Sequence, residues 1–166
     1  MNSQGPPFYG KFRGVVSHNT DPSQRGRIRA NVQGLFDKEP CGWAMPSVPY
    51  AGNGVGFLML PPVKASVWIE FEQGDPSRPI WTGCFWEEGE QAPVTPAIPE
   101  MKVIKTEVGT ITLNDTQGAG GITIETGNGM KIVIDPQQMK IDNGQNGVIT
   151  LQGQRVLVND GALEVT

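Results

Sequence analysis

From Thr110 to Thr166, short aliphatic pairs alternate with turn residues, and no aromatic side chain occurs. The pairs are Ile111/Leu113, Ile122/Ile124, Ile132/Ile134, Met139/Ile141, Ile149/Leu151, Val156/Val158 and Leu163/Val165. Between them lie Asn114-Asp115, Gly118 to Gly121, Gly127-Asn128-Gly129, Asp135-Pro136, Asp142-Asn143-Gly144 and Asn159-Asp160-Gly161. Apolar residues at every second position mark a strand with one apolar face. Clustered Gly, Asn and Asp supply turns. The recurrence, roughly every 7 to 11 residues, predicts a repeating strand–turn unit.

The energetics of such a stretch limit what it can become. Burying one aliphatic side chain is worth roughly 1.5–3 kcal/mol. Ordering each residue costs about 1–2 kcal/mol of backbone entropy. Two or three small aliphatics per strand give a lone chain too little to bury, and its outer strands would present open edges. Several identical chains wound around one axis solve both problems, and three give the simplest closed prism. The sequence therefore predicts an intertwined trimeric β-helix or β-prism over residues 106–166. Its core is expected to be Ile111, Leu113, Ile122, Ile124, Ile132, Ile134, Ile141, Ile149, Leu151, Val156 and Val158.

The earlier residues differ in composition. All four Trp, all six Phe and both Tyr fall at or before Trp86. No stretch carries the i, i+3, i+4, i+7 pattern of a long amphipathic helix, so the whole chain reads as all-β. Ala92 to Pro99 holds three prolines spaced by three and predicts an extended linker. The expected organisation is a loose tail over 1–9, a β-domain over 10–92, a Pro-rich linker over 93–105 and the needle over 106–166. Within the β-domain, strands are expected at 11–17, 27–33, 55–60, 65–73 and 80–86, with a long loop over 37–54. Five strands and one excursion fit an OB-type Greek-key barrel, with a sandwich as the other option.

The formal net charge of −4 argues against nucleic acid as a partner. No secretory signal or membrane-length apolar run is present, which points to synthesis in the cytoplasm without a signal peptide. Cys41 and Cys84 lie far apart and read as reduced, buried thiols. Arg25, Arg27 and Arg29 alternate and could line a nucleic-acid groove, but no aromatic stripe is interleaved, so a solvated or protein-contacting face is favoured. The glycine-rich loops lack a GKS/GKT and a following helix, so they read as turns. Asp135, Asp142 and Asp160 lack calcium-loop spacing. His18, the only histidine, sits in a polar turn. Glu70 and Glu72 share a polar strand face, while Glu87, Glu88 and Glu90 run into the linker. No catalytic, metal or cofactor site is expected, and the chain is not read as an enzyme.

The N-terminal residues resemble a known family. The run Gly14-Val15-Val16, Asp21-Pro22, Arg25-Gly26-Arg27-Ile28-Arg29-Ala30 and Val32 is similar to the opening strands of phage baseplate spike OB domains. Trp43 to Pro46, Pro49 to Gly52, Gly54 to Phe57, Pro61-Pro62-Val63, Val67 to Glu72, Gly74-Asp75-Pro76 and Pro79 to Gly83 continue the resemblance. Together these look like the baseplate protein V / VgrG spike family of contractile injection systems. Gly109-Thr110-Ile111, Ile122 to Glu125 and Val158 to Val165 resemble that family's β-helical needle.

The resemblance implies a homotrimer in a phage tail, extracellular injection particle or type VI-like system. A baseplate hub protein would contact the OB end, and the needle would meet a target envelope mechanically. Some spikes carry a lysozyme domain between barrel and needle; only the proline linker stands there in this chain. The His-x-His tip of some needles is also absent. Leu163, Val165 and Thr166 are therefore expected to contact a separate PAAR-type tip protein. The rival readings are a single-stranded nucleic-acid-binding OB protein and a carbohydrate-binding tail-fibre component.

Overall fold

A computed structural model of the chain describes residues 7–165. It divides into two compact units, Met1–Glu90 and Gln91–Thr166. The described residues form strands and short 3-10 turns, with no α-helix.

The first unit contains β1 (Phe12–His18), β2 (Arg29–Val32), β3 (Met45–Pro46), β4 (Ala51–Gly52), β5 (Val55–Gly56), β6 (Ser66–Phe71) and β7 (Pro79–Cys84). Five of them form one sheet in the order β2-β1-β6-β7-β3. All its pairings are antiparallel except β3 with β7, which is parallel. Just before β2 and β3, Ile28 and Ala44 bridge the two outer strands. The Ile28 amide donates to Ala44 at 3.2 Å, and the Ala44 amide donates back at 2.8 Å. That bridge closes the ring, so the unit is a five-stranded barrel of the OB type rather than a sandwich.

Alternation explains the barrel's core. Along β6, Val67, Ile69 and Phe71 point inward and are buried, while Trp68 and Glu70 are half-buried. Val16, Ile28, Ala30, Val32, Cys41, Ala44 and Trp81 complete the interior. Phe8, Phe12 and Phe71 make edge-on or tilted ring contacts at centroid distances of 5.4–6.3 Å. Phe8 thus packs on the barrel although the sequence places it in the tail; its amide also donates to Gly74 at 2.9 Å.

Two other expectations change. The loop over 37–54 contains β3 and half of the β4–β5 hairpin. A two-residue parallel strand containing Pro46 leaves no alternation to detect. The strand expected over 55–60 shrinks to Val55–Gly56, because Phe57 to Leu60 are four consecutive apolar residues outside any strand. Cys84 is exposed rather than buried, and both cysteines are free.

The second unit is one eight-stranded antiparallel meander: β8 (Met101–Lys105), β9 (Gly109–Asn114), β10 (Gly121–Thr126), β11 (Lys131–Ile134), β12 (Met139–Asp142), β13 (Val148–Gln152), β14 (Arg155–Val158) and β15 (Leu163–Val165). Each strand pairs with its neighbours in sequence. β8 lies inside the stretch read from the sequence as linker. Its alternation is masked by Lys102 and Lys105, which flank Val103 and Ile104.

Candidate functional site

The turns of the second unit hold the strands in register. Asp135 accepts the Gln137 and Gln138 amides at 2.8 and 2.9 Å, and these bonds pull its carboxyl below the ordinary range. Asp142 accepts the Gly144 amide at 2.8 Å, and Asn143 accepts those of Gln145 and Gly147 at 2.8 and 2.9 Å. Asp160 adopts a left-handed backbone, with φ of 53°. These aspartates therefore shape turns. At Gly121 the ladder runs so close that a Cβ would strike the Ile134 carbonyl oxygen. Only glycine fits there.

This register lines up two apolar rows on one sheet face. Ile104, Ile111, Ile124, Ile132, Ile141, Ile149, Val158 and Leu163 stand opposite one another in turn across all eight strands. Leu113, Ile122, Ile134, Met139, Leu151, Val156 and Val165 form the second row, with Lys102 in the β8 position. Lys102 pairs with Asp115. All eleven residues expected in the needle core thus share one face. Ile104 and Met139 belong to the rows as well. Met139 already stood among the aliphatic pairs, whereas Ile104 was hidden in the supposed linker.

The face is uncovered in the single chain. From Ile104 to Leu151 the row aliphatics are 36–44% exposed, Val156 and Val158 are half-buried, and Leu163 and Val165 reach 59% and 57%. Thr166 lies outside the described residues. The opposite face mixes Thr112, Thr123, Lys140 and Thr150 with Val103, Val133, Val148 and Leu157, and there Val148 and Thr150 are buried. A one-sided antiparallel sheet ordinarily turns its apolar face to a core and its polar face to water. Among the described residues, nothing in this unit covers the apolar face.

The arginine trio separates in the first unit. Arg27 lies before β2 and grips the buried Asp21, donating from Nη2 at 2.7 Å and Nε at 3.0 Å. Asp21 also accepts the Ser23 and Arg25 amides at 2.9 Å. The Arg27 guanidinium, opposed by desolvation but helped by these amides, holds the Asp21 carboxyl well below the usual carboxylate range. Arg27 also lies over the Trp43 ring, 5.6 Å from its centroid. Arg29 donates to the carbonyls of Cys41 and Pro40 at 3.1 and 3.3 Å. Arg27 and Arg29 are thus engaged inside the protein, while the Arg25 side chain lies at a bend before β2 and lines a shallow hollow together with Arg27 and Arg78.

The carboxylates expected on a solvated face pair with nearby cations. Glu70 meets Lys11 at 3.2 Å, Glu72 meets Arg78 at 2.7 Å just past β6, and Glu87 meets Arg13 at 3.1 Å. His18 Nδ1 lies 3.1 Å from the Ser17 hydroxyl. Among the described residues, no group of three or more His, Cys, Asp or Glu is placed to hold a metal ion.

Comparison with known proteins matches both units. Residues 12–86 match the type VI secretion system/phage-baseplate injector OB domain. Residues 101–164 match the phage baseplate V C-terminal trimerisation domain, a span that takes in nearly all of β8 to β15. The chain is 34% identical over 74 residues to a Pseudomonas aeruginosa protein, the type VI secretion system spike protein VgrG4b; the alignment covers 41% of this chain and 9% of that one. It is 27% identical over 139 residues to the actin cross-linking toxin VgrG1 of Vibrio cholerae, covering 74% of this chain and 12% of the relative. The chain spans only about a tenth of the length of these curated relatives. An injector OB domain followed by a baseplate V trimerisation domain, in that order along one chain, makes this protein a member of the phage baseplate V / VgrG spike family.

Proposed function

We propose that this protein is the central spike of a contractile injection machine, acting as a homotrimer that joins a baseplate hub to an envelope-piercing tip. The observation that carries the reading is the two-row aliphatic face of β8 to β15, exposed in one chain and lying within a trimerisation-domain match. Three copies would turn these faces inward and form the core of a prism. Covering what remains exposed on each aliphatic is worth roughly 1 kcal/mol.

The role is mechanical rather than catalytic. Strands lie about 4.8 Å apart, so eight stacked across an axis make a needle about 34 Å long, comparable to the ~30 Å hydrocarbon core of a bilayer. Backbone pairing along the whole length resists buckling, and separating three chains would be slow, which gives high kinetic stability. The barrel end would sit on the hub protein. The β15 end, where Leu163 and Val165 are exposed and β15 is the outer strand among the described residues, would receive a PAAR-type tip protein. The chain is made in the cytoplasm and assembled into a phage tail or injection particle.

Epitope-tagged protein in purified contractile particles tests this placement. Electron microscopy should find label at the baseplate end only; label along the sheath, or none in intact particles, would contradict it.

A further inference from the structure

Three separate segments of the first unit meet around one open hollow of about 620 Å³. Arg25 and Arg27 come from the stretch before β2, Trp43 and Pro46 from the stretch into β3, and Arg78 and Ile80 from the start of β7. Each segment is tied down by bonds that do not use the hollow. Asp21 accepts the Arg25 amide, Ile28 and Ala44 bridge the approaches to β2 and β3, and β3 pairs with β7. The Arg78 amide donates to the Asp75 carbonyl at 2.9 Å, and its own carbonyl accepts the Glu72 amide at 3.0 Å. The hollow is therefore preformed, which lowers the ordering cost of binding.

The charges around it do not cancel. Arg27 is neutralised by Asp21 and Arg78 by Glu72, at 2.7 Å in each pair. Arg25 is exposed, and its guanidinium meets no carboxylate among the described residues. Trp43 is half-buried with Arg27 over its ring, and its indole N–H donates to no described residue. An aromatic ring with an unspent N–H is the amphipathic kind of side chain enriched at interfaces.

That arrangement selects among anions. A nucleic-acid strand brings a phosphate at every nucleotide, and would set a run of charges against one uncompensated arginine and the Glu72 carboxylate. A single carboxylate satisfies Arg25, and the surface of Trp43, Pro46 and Ile80 fits an apolar side chain beside it. Pockets for small molecules enclose most of their ligand. This hollow is shallow and open, which suits side chains presented on a chain segment.

We infer that the hollow is a docking site for a segment of a partner protein that carries an aspartate or glutamate next to an apolar side chain. The carboxylate pairs with Arg25, and its apolar neighbour lies against Trp43. The site is complete within one barrel, so it does not depend on how many chains assemble.

The test offers labelled full chain to short random peptides displayed on yeast. Enriched sequences should place Asp or Glu beside an apolar residue. A fluorescent copy of the most enriched peptide should bind Arg25→Gln about tenfold or more weakly. It should bind Lys38→Gln unchanged, because that variant removes an exposed cation outside the hollow. Replacing the peptide's acid by its amide should cause the same loss, and both changes together should cost little more than either alone. Arg25→Gln should melt with the parent protein, since its side chain holds nothing in the barrel. Failure to enrich any sequence, enrichment of peptides without a carboxylate, or undiminished binding to Arg25→Gln would each overturn the inference. A short oligothymidylate that binds more tightly than the peptide, and is lost with Arg25→Gln, overturns it in favour of nucleic acid. None of these outcomes bears on the mass of the chain in solution, so the trimer reading stands or falls separately.

Discussion

Ile124 of β10 stands directly opposite Ile132 of β11, and the two side chains remain 42% and 37% exposed in the single chain. Neighbouring isoleucines this open on the apolar side of a sheet need a cover. If that cover is two further copies, Ile124→Asp places three carboxylates around one axis. A buried, unpaired charge costs several kcal/mol. Ile124→Asp should therefore abolish the trimer, and Ile132→Asp should do the same. The barrel should remain folded in both, as judged by its tryptophan fluorescence. Sedimentation velocity checks the mass; a stable trimer in either variant would count against an inward-facing row.

Gly121 tests the meander rather than its cover. Gly121→Val forces a side chain into the Ile134 carbonyl. The β10–β11 ladder should break, and with it the assembly, although no apolar row residue has changed. Gly153→Asn offers a control: φ there is +59° with no atom near a new Cβ, and Asn tolerates that conformation. Gly153→Asn should keep the native mass.

The barrel has its own internal lock. Trp81 Nε1 donates to the Gly26 carbonyl at 3.1 Å in a buried setting. Trp81→Phe leaves that carbonyl without its donor, and should cost about 1–3 kcal/mol in urea unfolding of the barrel. The needle should be unaffected.

Asp21 gives the barrel an acid dependence. Its carboxyl in the folded protein titrates below the ordinary value of about 3.9. Its contribution is therefore complete above that value and is lost as pH falls through the window toward the depressed folded pKa. The barrel's melting temperature should decline in that acid window. Asp21→Asn should lower the melting temperature at neutral pH and flatten the acid decline. An unchanged acid profile in Asp21→Asn would assign the effect to other carboxylates.

The second unit was more legible in the sequence than the first. Seven aliphatic pairs separated by turn residues announced the strands, because a period of two survives in any one-sided sheet. Ile104 escaped because Lys102 and Lys105 flank its strand and prolines precede it. In the barrel, Val67, Ile69 and Phe71 were readable for the same reason as the needle pairs. β3 was not, since a two-residue parallel pairing is set by the closure of the ring rather than by local pattern. The Arg25/Arg27/Arg29 alternation misled for a related reason: β2 begins only at Arg29, and Asp21, six residues before Arg27, decides where the Arg27 side chain goes. Phe57 to Leu60 were apolar enough to look like part of a strand, yet they lie outside one and remain exposed.

At the far end of the needle, Leu163 and Val165 are the most exposed members of the two rows. Leu163→Asp combined with Val165→Asp should leave the trimer intact, because β9 to β13 supply most of its apolar face. The same pair should prevent co-purification of a tip protein. Undiminished recovery of the tip protein with the double variant would place its contact elsewhere.

In the assembled spike, two further copies of the same chain should close the aliphatic face of β8 to β15. Multi-angle light scattering on the purified full chain measures this directly. A single species of about 54 kDa, three times the 17.9 kDa chain, should appear and persist on dilution; a monodisperse 17.9 kDa monomer would contradict closure by two further copies.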